Sequence, residues 1–293
     1  MPEQEHDTPH VRLGAHMSIA GGPARAFARG ESAGCETMQV FTGAPNRWQV
    51  PDLTPEQVAD WRRARDAHDI HPVVVHSSYL INLASPDDDL WARSIAALAA
   101  DLRRCAMLEV RRYVLHPGSH TGSGQEAGLA RVAAGLDAVL AQLGDDAPTI
   151  LLENTAGAGS ILGAGFEELA AIMAQARRGA QLGVCFDTAH GLAAGHDFRD
   201  AAGYAAMWAA FDAAIGLERL GALHLNDSKR ELGSHVDRHE QIGQGHVGLE
   251  AFRLLLNDPR LRRVPMILET PKGPDLAEDR ENLALLRGLL DPA

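Results

Sequence analysis

The sequence predicts an α/β fold, a single-domain (β/α)8 TIM barrel, and three observations carry that prediction. Short apolar runs of strand length alternate with longer segments of helical period eight times, at intervals of roughly 25 to 45 residues. Strict β–α alternation implies a parallel sheet, because consecutive parallel strands need a helical crossover. Besides the first run, which ends at His16, six of the eight end on His, Asp or Glu, and a closed barrel would gather those ends at one mouth.

The elements follow in order. Residues 13–18 contain the first strand, ending at His16, and Gly21-Gly22-Pro23 leads into a helix over 24–33. Proline suits the first helical turn because its missing N–H would be unpaired there anyway. Residues 37–41 form the second strand, with a long polar loop from Thr42 to Trp48. Thr54 caps a helix running to about His68. The third strand ends at His76, and the loop after it, 77–83, is unusually apolar. In the helix that follows, Ile95, Leu98, Leu102 and Cys105 share one face, with Arg93, Asp101 and Arg104 expected off it. Residues 113–116 bring His116, then a helix over 125–143, a strand over 149–153, a glycine-rich loop and a helix over 166–177. The sixth strand runs from Leu182 to Asp187, with His190 just beyond it and one helix containing Tyr204, Trp208 and Phe211. The seventh strand carries His224 and opens the longest loop, 226–248, containing Asp237 and His239. A helix over 249–256, a strand over 264–269 and a helix over 276–290 complete the chain. No linker interrupts the pattern, so residues 11–293 are expected to be one domain behind a loose polar tail over 1–10.

Composition narrows the function. The chain of 293 residues is 45% hydrophobic and 23% charged, ordinary for a globular protein. No apolar run approaches the ~20 residues that cross a bilayer, and the polar start lacks the apolar core of a signal peptide. No membrane association is expected. Cys35, Cys105 and Cys185 are odd in number and unpaired in spacing, which argues against a disulfide framework and for a reducing, cytoplasmic setting. Cys185 lies in an apolar strand and reads as a buried small hydrophobe. The net charge of −12 weighs against loose, sequence-wide nucleic-acid binding. Three bound divalent ions would bring it to about −6 and dominate the local field.

The chemistry is concentrated at the strand ends. His76, His116, Glu153, Asp187, His224 and Glu269 end strands, and His190, Asp237 and His239 follow on adjoining loops. Four carboxylates crowded at one mouth without cations could not all ionise, and metal ions resolve that conflict. Imidazole and carboxylate without thiolate suit zinc, manganese or iron(II) in a catalytic role. At three or four protein ligands per ion, with one carboxylate shared, nine ligands leave room for three ions. His16 is a candidate partner behind the ligands. Gly243-x-Gly245 could cradle a phosphate on backbone N–H groups, although a lone pair of this kind is more often turn chemistry. Tyr79-Leu80-Ile81 stands beside a ligand strand, where apolar side chains could wedge between stacked bases or fold onto their own helix.

Motifs along the chain resemble the endonuclease IV family of abasic-site DNA repair enzymes from about Leu13 to Glu281. They include Gly-Ala-His16-Met-Ser-Ile-Ala-Gly-Gly, His76-x-Ser-Tyr79-Leu80-Ile-Asn-Leu, His116-Pro-Gly-Ser-His and Glu153-Asn-Thr-Ala-Gly. Asp187-Thr-Ala-His190, Leu223-His224-Leu-Asn-Asp-Ser-Lys229, Val-Asp237-Arg-His239 and Ile-Leu-Glu269-Thr continue the set. The resemblance implies a monomer that cuts the phosphodiester 5′ to an abasic site in double-stranded DNA, leaves a 3′-hydroxyl and also removes 3′-blocking groups. It implies three divalent ions, zinc foremost, with manganese admissible at one site. His76, His116 and Glu153 would hold one ion, and Glu153, Asp187, His224 and Glu269 a second, Glu153 bridging and serving as the catalytic carboxylate. His190, Asp237 and His239 would hold the third. Tyr79 and Leu80 match positions that enter the minor groove. Where the family usually inserts an Arg from the loop after the second strand, this chain has Asn46 followed by Arg47; where it often has Cys, this chain has Ala189. The runner-up is a xylose-isomerase-like sugar isomerase or epimerase, which would have no use for His190 with Asp237-x-His239. A non-catalytic metal-binding module is a third reading.

Overall fold

The computed structural model describes residues 10–144 and 147–292; apart from His10, the expected tail lies outside the described residues. Eight parallel strands close on themselves: β1 (Leu13–His16), β2 (Thr37–Val40), β3 (Val73–His76), β4 (Arg112–Leu115), β5 (Thr149–Glu153), β6 (Leu182–Asp187), β7 (Leu220–His224) and, after a short antiparallel pair β8 (Asp227–Ser228) and β9 (His239–Glu240), β10 (Met266–Leu268). β1 pairs with β10 on one side and β2 on the other, which closes the barrel. The helices that cover it are α1 (Arg25–Ala33), α2 (Pro55–Ala67), α3 (Asp88–Met107), α4 (Gln125–Leu143), α5 (Phe166–Gln175), α6 (Thr188–Ala194), α7 (Ala201–Ala214), α8 (Leu249–Asn257) and α9 (Ala277–Arg287).

Local chemistry sets the boundaries. Thr54 and Gln57 form a reciprocal capping box at α2, satisfying two backbone donors of the first turn. Asp87 and Asp200 cap α3 and α7 through side-chain oxygens. Two helices follow the sixth strand where the sequence suggested one. Asp187 caps α6 directly at the strand end, and Gly195 closes it in the left-handed conformation that glycine adopts without strain. β10 is shorter than expected at both ends: Pro265 has no N–H to offer the ladder, and the Glu269 N–H turns to Asn226 Oδ1 instead.

Two cores result. The outer one packs outward strand residues such as Val75, Leu115 and Leu152 against helix residues such as Trp61, Leu98, Phe166 and Phe211. The inner one fills the barrel with Val74, Val114, Leu151, Cys185, Ala222 and Ile267. All three cysteines are free and buried. Gly14 permits barrel closure, since a Cβ there would meet the Thr37 carbonyl oxygen at 1.7 Å. Asp101 and Arg104, expected off the apolar face of α3, are instead only 8% and 3% exposed. Asp101 lies one turn from Leu98 and Arg104 one turn from Asp101, flanking the apolar stripe, and both are tolerated there because they pair with one another and with Thr42 and Tyr113. Among the described residues, no helix is long and apolar enough to cross a membrane.

Candidate metal centre

Side chains two apart on a strand share a face, and this period builds the site. Counting two residues on from each inner-core residue gives His76, His116, Glu153, Asp187, His224 and Glu269. The six candidate ligands therefore stand one layer above the hydrophobic floor. The same period on the two remaining strands brings His16 and Gln39 into that layer, so all eight inward positions at the mouth are polar.

Glu153, fully buried, lies at the middle. Its Oε2 is 3.0 Å from His76 Nε2 and 3.2 Å from His116 Nε2, while its Oε1 is 2.9 Å from His224 Nδ1 and 3.4 Å from His190 Nδ1. Glu269 Oε2 and Asp187 Oδ2 lie 3.3 Å and 3.8 Å from His224 Nδ1. Three groups have ligand atoms within 4.8 Å of one another: His76, His116 and Glu153; Glu153, Asp187, His224 and Glu269; and Asp187, His190 and His239. Asp237 falls just outside the third group, yet its Oδ2 is 3.3 Å from His190 Nε2 and its Oδ1 3.4 Å from His239 Nε2. The structure thus brings all nine candidate ligands together.

The motif Asp187-Thr-Ala-His190 has a structural cause. Asp187 Oδ1 accepts the backbone N–H of His190 at 2.8 Å, so the carboxylate that ends β6 also starts α6. Three residues into the helix, the imidazole is turned back over the mouth. The β8–β9 pairing, with Ser228 opposite His239, returns the long loop so that His239 reaches the same chamber.

Four imidazoles are oriented by acceptors behind them. His76 Nδ1 donates to the Ser77 carbonyl at 2.9 Å, His190 Nδ1 to the Asn154 carbonyl at 3.0 Å and His239 Nδ1 to the Glu269 carbonyl at 3.3 Å. His224 donates through Nε2 to Gln39 Oε1 at 2.8 Å. Carbonyl oxygens only accept, so the outer nitrogen carries the proton and the inner one faces the chamber, the arrangement typical of metal-binding histidine. His239 Nε2 is buried with no hydrogen-bond partner. An orphaned imidazole nitrogen beside carboxylates, with no thiolate, fits borderline divalent cations.

Charge follows the geometry. Burial alone would lower His190 and His224, but their neighbours outweigh it and hold both well above 6.5; Asp187, Asp237 and Glu153 act on His190, and Cys185, Glu269 and Glu153 on His224. His76 is raised likewise by Glu153 and Glu269 against the pull of burial. Burial pushes Glu153 and Glu269 up, but the surrounding imidazoles hold both well below the usual carboxylate range. His116 is lowered, chiefly by burial.

Sequence reasoning did not single out three polar side chains behind the ligands. Gln39, on β2, accepts from His224 and donates to Glu269 Oε1 at 2.5 Å and to His16 Nδ1 at 3.0 Å. Asn154 exchanges two hydrogen bonds with the backbone of Asp187. Asn226 donates to Asp187 Oδ2 at 2.6 Å and accepts from the Glu269 N–H at 2.7 Å. All three are fully buried, and strand parity is the signal that would have found Gln39. Gly243-x-Gly245 does form an anion cradle, but the chain fills it: Asp227 accepts the N–H groups of Ser228, Gly243, Gly245 and Val247. At the rim, Tyr79 is 67% exposed, Asn46 and Arg47 are exposed and Leu80 is half-buried. Ile81 and Leu83 turn inward, which accounts for the apolar character of that loop.

Residues 27–289 match the family model of the xylose isomerase-like TIM barrel. The chain is 52% identical over 282 residues to the "Probable endonuclease 4" of Chloroflexus aurantiacus, covering 96% of this chain and 99% of that protein. It is 46% identical to the protein of the same name from Geobacter sulfurreducens, covering 95% of this chain and 94% of the other. The crystal structure of endonuclease IV from Thermus thermophilus superposes with a TM-score of 0.85 at 41% identity, covering 95% of this chain and 98% of that one. A D-tagatose 3-epimerase-like protein, at 18% identity and a TM-score of 0.71, shares the barrel alone. With relatives this similar along nearly its whole length, the chain belongs to the endonuclease IV family.

Proposed function

We propose that this protein is a metal-dependent endonuclease that hydrolyses the DNA phosphodiester 5′ to an abasic site. The supporting observation is the division of Glu153: one carboxylate oxygen faces His76 and His116, the other His224 and His190. A carboxylate so placed is suited to bridging two ions. We assign His76, His116 and Glu153 to one ion, Glu153, Asp187, His224 and Glu269 to a second, and His190, Asp237 and His239 to a third. Zinc is the foremost candidate, with manganese admissible at one position. Divalent ions there would supply Lewis acidity and an activated water for an in-line displacement at phosphorus.

The chain's own part is to hold and orient. Glu153, closed off from solvent, fixes the direction along which a nucleophile approaches. Asp237, whose side chain is 56% exposed, sits where a substrate phosphate would enter. Tyr79 and Leu80, with Asn46 and Arg47 on the neighbouring loop, are assigned to the minor groove at the lesion. An abasic nucleotide has no base to unpair and is the cheapest to turn out of the stack. The acting unit is taken to be one single-domain chain in the cytoplasm. A sugar isomerase would leave His190, Asp237 and His239 without a task.

Two measurements test this together: metal content per chain, and cleavage of a duplex carrying one abasic analogue. Glu153→Gln should keep the fold and lower cleavage by several orders of magnitude. Full activity in that variant would refute the bridging role.

A further inference from the structure

Away from the metal centre the chain buries another charged cluster, and it grips a loop. Asp101 Oδ1 accepts from Thr42 Oγ1 at 2.9 Å and from Arg104, and Asp101 Oδ2 accepts from Tyr113 Oη at 2.8 Å. Arg104 Nε donates to Thr42 Oγ1 at 3.1 Å and Nη1 to the Val50 carbonyl at 3.5 Å. Three turns earlier on α3, the Arg93 guanidinium lies over the Trp48 ring at 5.1 Å. Segment 42–50 is therefore held by one helix at its start, near its end and at its last residue. Gly43 closes it further, because only a residue without Cβ fits against the Val50 side chain.

The other side of the segment is tied to a different loop. Ser78 Oγ donates to the Pro45 carbonyl at 2.6 Å and accepts the Leu80 N–H at 3.2 Å. One hydroxyl thus shapes the Tyr79–Leu80 turn and clasps the loop bearing Asn46 and Arg47. A helix packed on a barrel needs only apolar contacts, and burying a charge pair is costly unless it is fully hydrogen-bonded. Here the pair's remaining hydrogen bonds go to the loop and to β4, so its visible product is loop geometry.

We infer that the Asp101–Arg104–Thr42 network and the Ser78 clasp make the loops 42–50 and 77–83 a single rigid unit. Its role, which rests on the endonuclease reading above, is to present Asn46, Arg47 and Tyr79 to the duplex at fixed spacing. Pre-organisation of this kind lowers the ordering cost of binding and leaves the chemical step alone. Ser78, Thr42 and Arg104 are accordingly positioning residues.

Ser78→Ala tests this without touching the charge pair, and Thr42→Val tests it by removing one hydrogen bond from each member of the pair. Hydrogen exchange of the metal-loaded, DNA-free protein should rise by about 3- to 10-fold or more in both loops of Ser78→Ala, the range expected per lost hydrogen bond, of which the Ser78 hydroxyl makes two. With the abasic duplex, KM should rise by a similar factor while kcat and metal content hold. Thr42→Val should repeat the pattern with its largest exchange change in 42–50. Faster exchange in 77–83 alone would show independent loops and overturn the coupling. Coupled exchange with unchanged KM would overturn its role at the duplex. If the unmutated protein left the abasic duplex intact, the endonuclease reading would fall, and the exchange data would still decide whether the loops move together.

Discussion

Replacing Gln39 with methionine separates the support behind the metal ligands from the ligands themselves. The two side chains have similar volume, so the barrel interior should keep its packing, but both ends of the amide are lost. Its oxygen takes the Nε2 proton of His224, and its nitrogen donates to Glu269 and His16. In Gln39→Met the fully buried His224 keeps an N–H with no acceptor, which costs about 1–3 kcal/mol. At about 1.4 kcal/mol per decade this is roughly 5- to 150-fold in affinity, in line with the ~10–100-fold typical when a partner of a metal-bound histidine is removed. The loss should fall on the ion assigned to Asp187, His224 and Glu269. His76, His116, His190 and His239 are oriented or placed by other groups, so the other two ions should stay. Equilibrium dialysis against graded free zinc, with metal counted per chain, would read this as one equivalent released about ten- to a hundredfold earlier than in the unmutated protein. An unchanged loading curve would refute the idea that Gln39 fixes the His224 tautomer.

The charges at the mouth set the response to pH. Against the pull of burial, the surrounding groups, carboxylates foremost, raise His76, His190 and His224 above 6.5, so in protein stripped of metal these rings keep their protons to higher pH than a free imidazole. Metal uptake should release protons and tighten as pH rises; calorimetry in buffers of different ionisation enthalpy would detect this, and zero proton release would contradict it. For the stripped protein the raised histidines stabilise the fold below about 6.5 and lose that effect as pH climbs through their folded values, whereas the lowered Glu153 and Glu269 stabilise it above about 4.5. Stability should therefore peak between those limits and flatten at higher pH once metal is bound. Asp227→Ala removes the acceptor shared by four backbone N–H groups and should cost about 3 kcal/mol or more in chemical denaturation, at about 1–3 kcal/mol per unsatisfied buried donor. Asp227→Asn, which keeps one acceptor oxygen, should lose less, and equal losses in the two variants would count against the cradle.

Much of this was legible before any coordinates. Short apolar runs ending in His, Asp or Glu marked six strand ends, and the barrel closes as that pattern required. What escaped has two physical causes. Gln39, Asn154 and Asn226 are uncharged and ordinary in type, so only strand parity or the structure reveals that they face the ligands. Asp101 and Arg104 misled in the opposite way: charge and spacing both suggested solvent, whereas the loop 42–50 and Tyr113 cover that flank of α3 and mutual pairing makes burial tolerable. The extra helix α6 was hidden because Asp187 serves as strand end, helix cap and candidate ligand at once, which left no loop residues to announce a boundary.

The layering of Val74, Val114, Leu151, Cys185, Ala222 and Ile267 beneath the six strand-end ligands separates two tasks that many proteins entangle. Foundations and tools sit on the same strands but on different storeys, so residues in the upper storey can be exchanged while the lower one continues to hold the cylinder shut. A barrel built this way can carry another chemistry once its top floor is refitted, and an epimerase-like protein of 18% identity shares the fold.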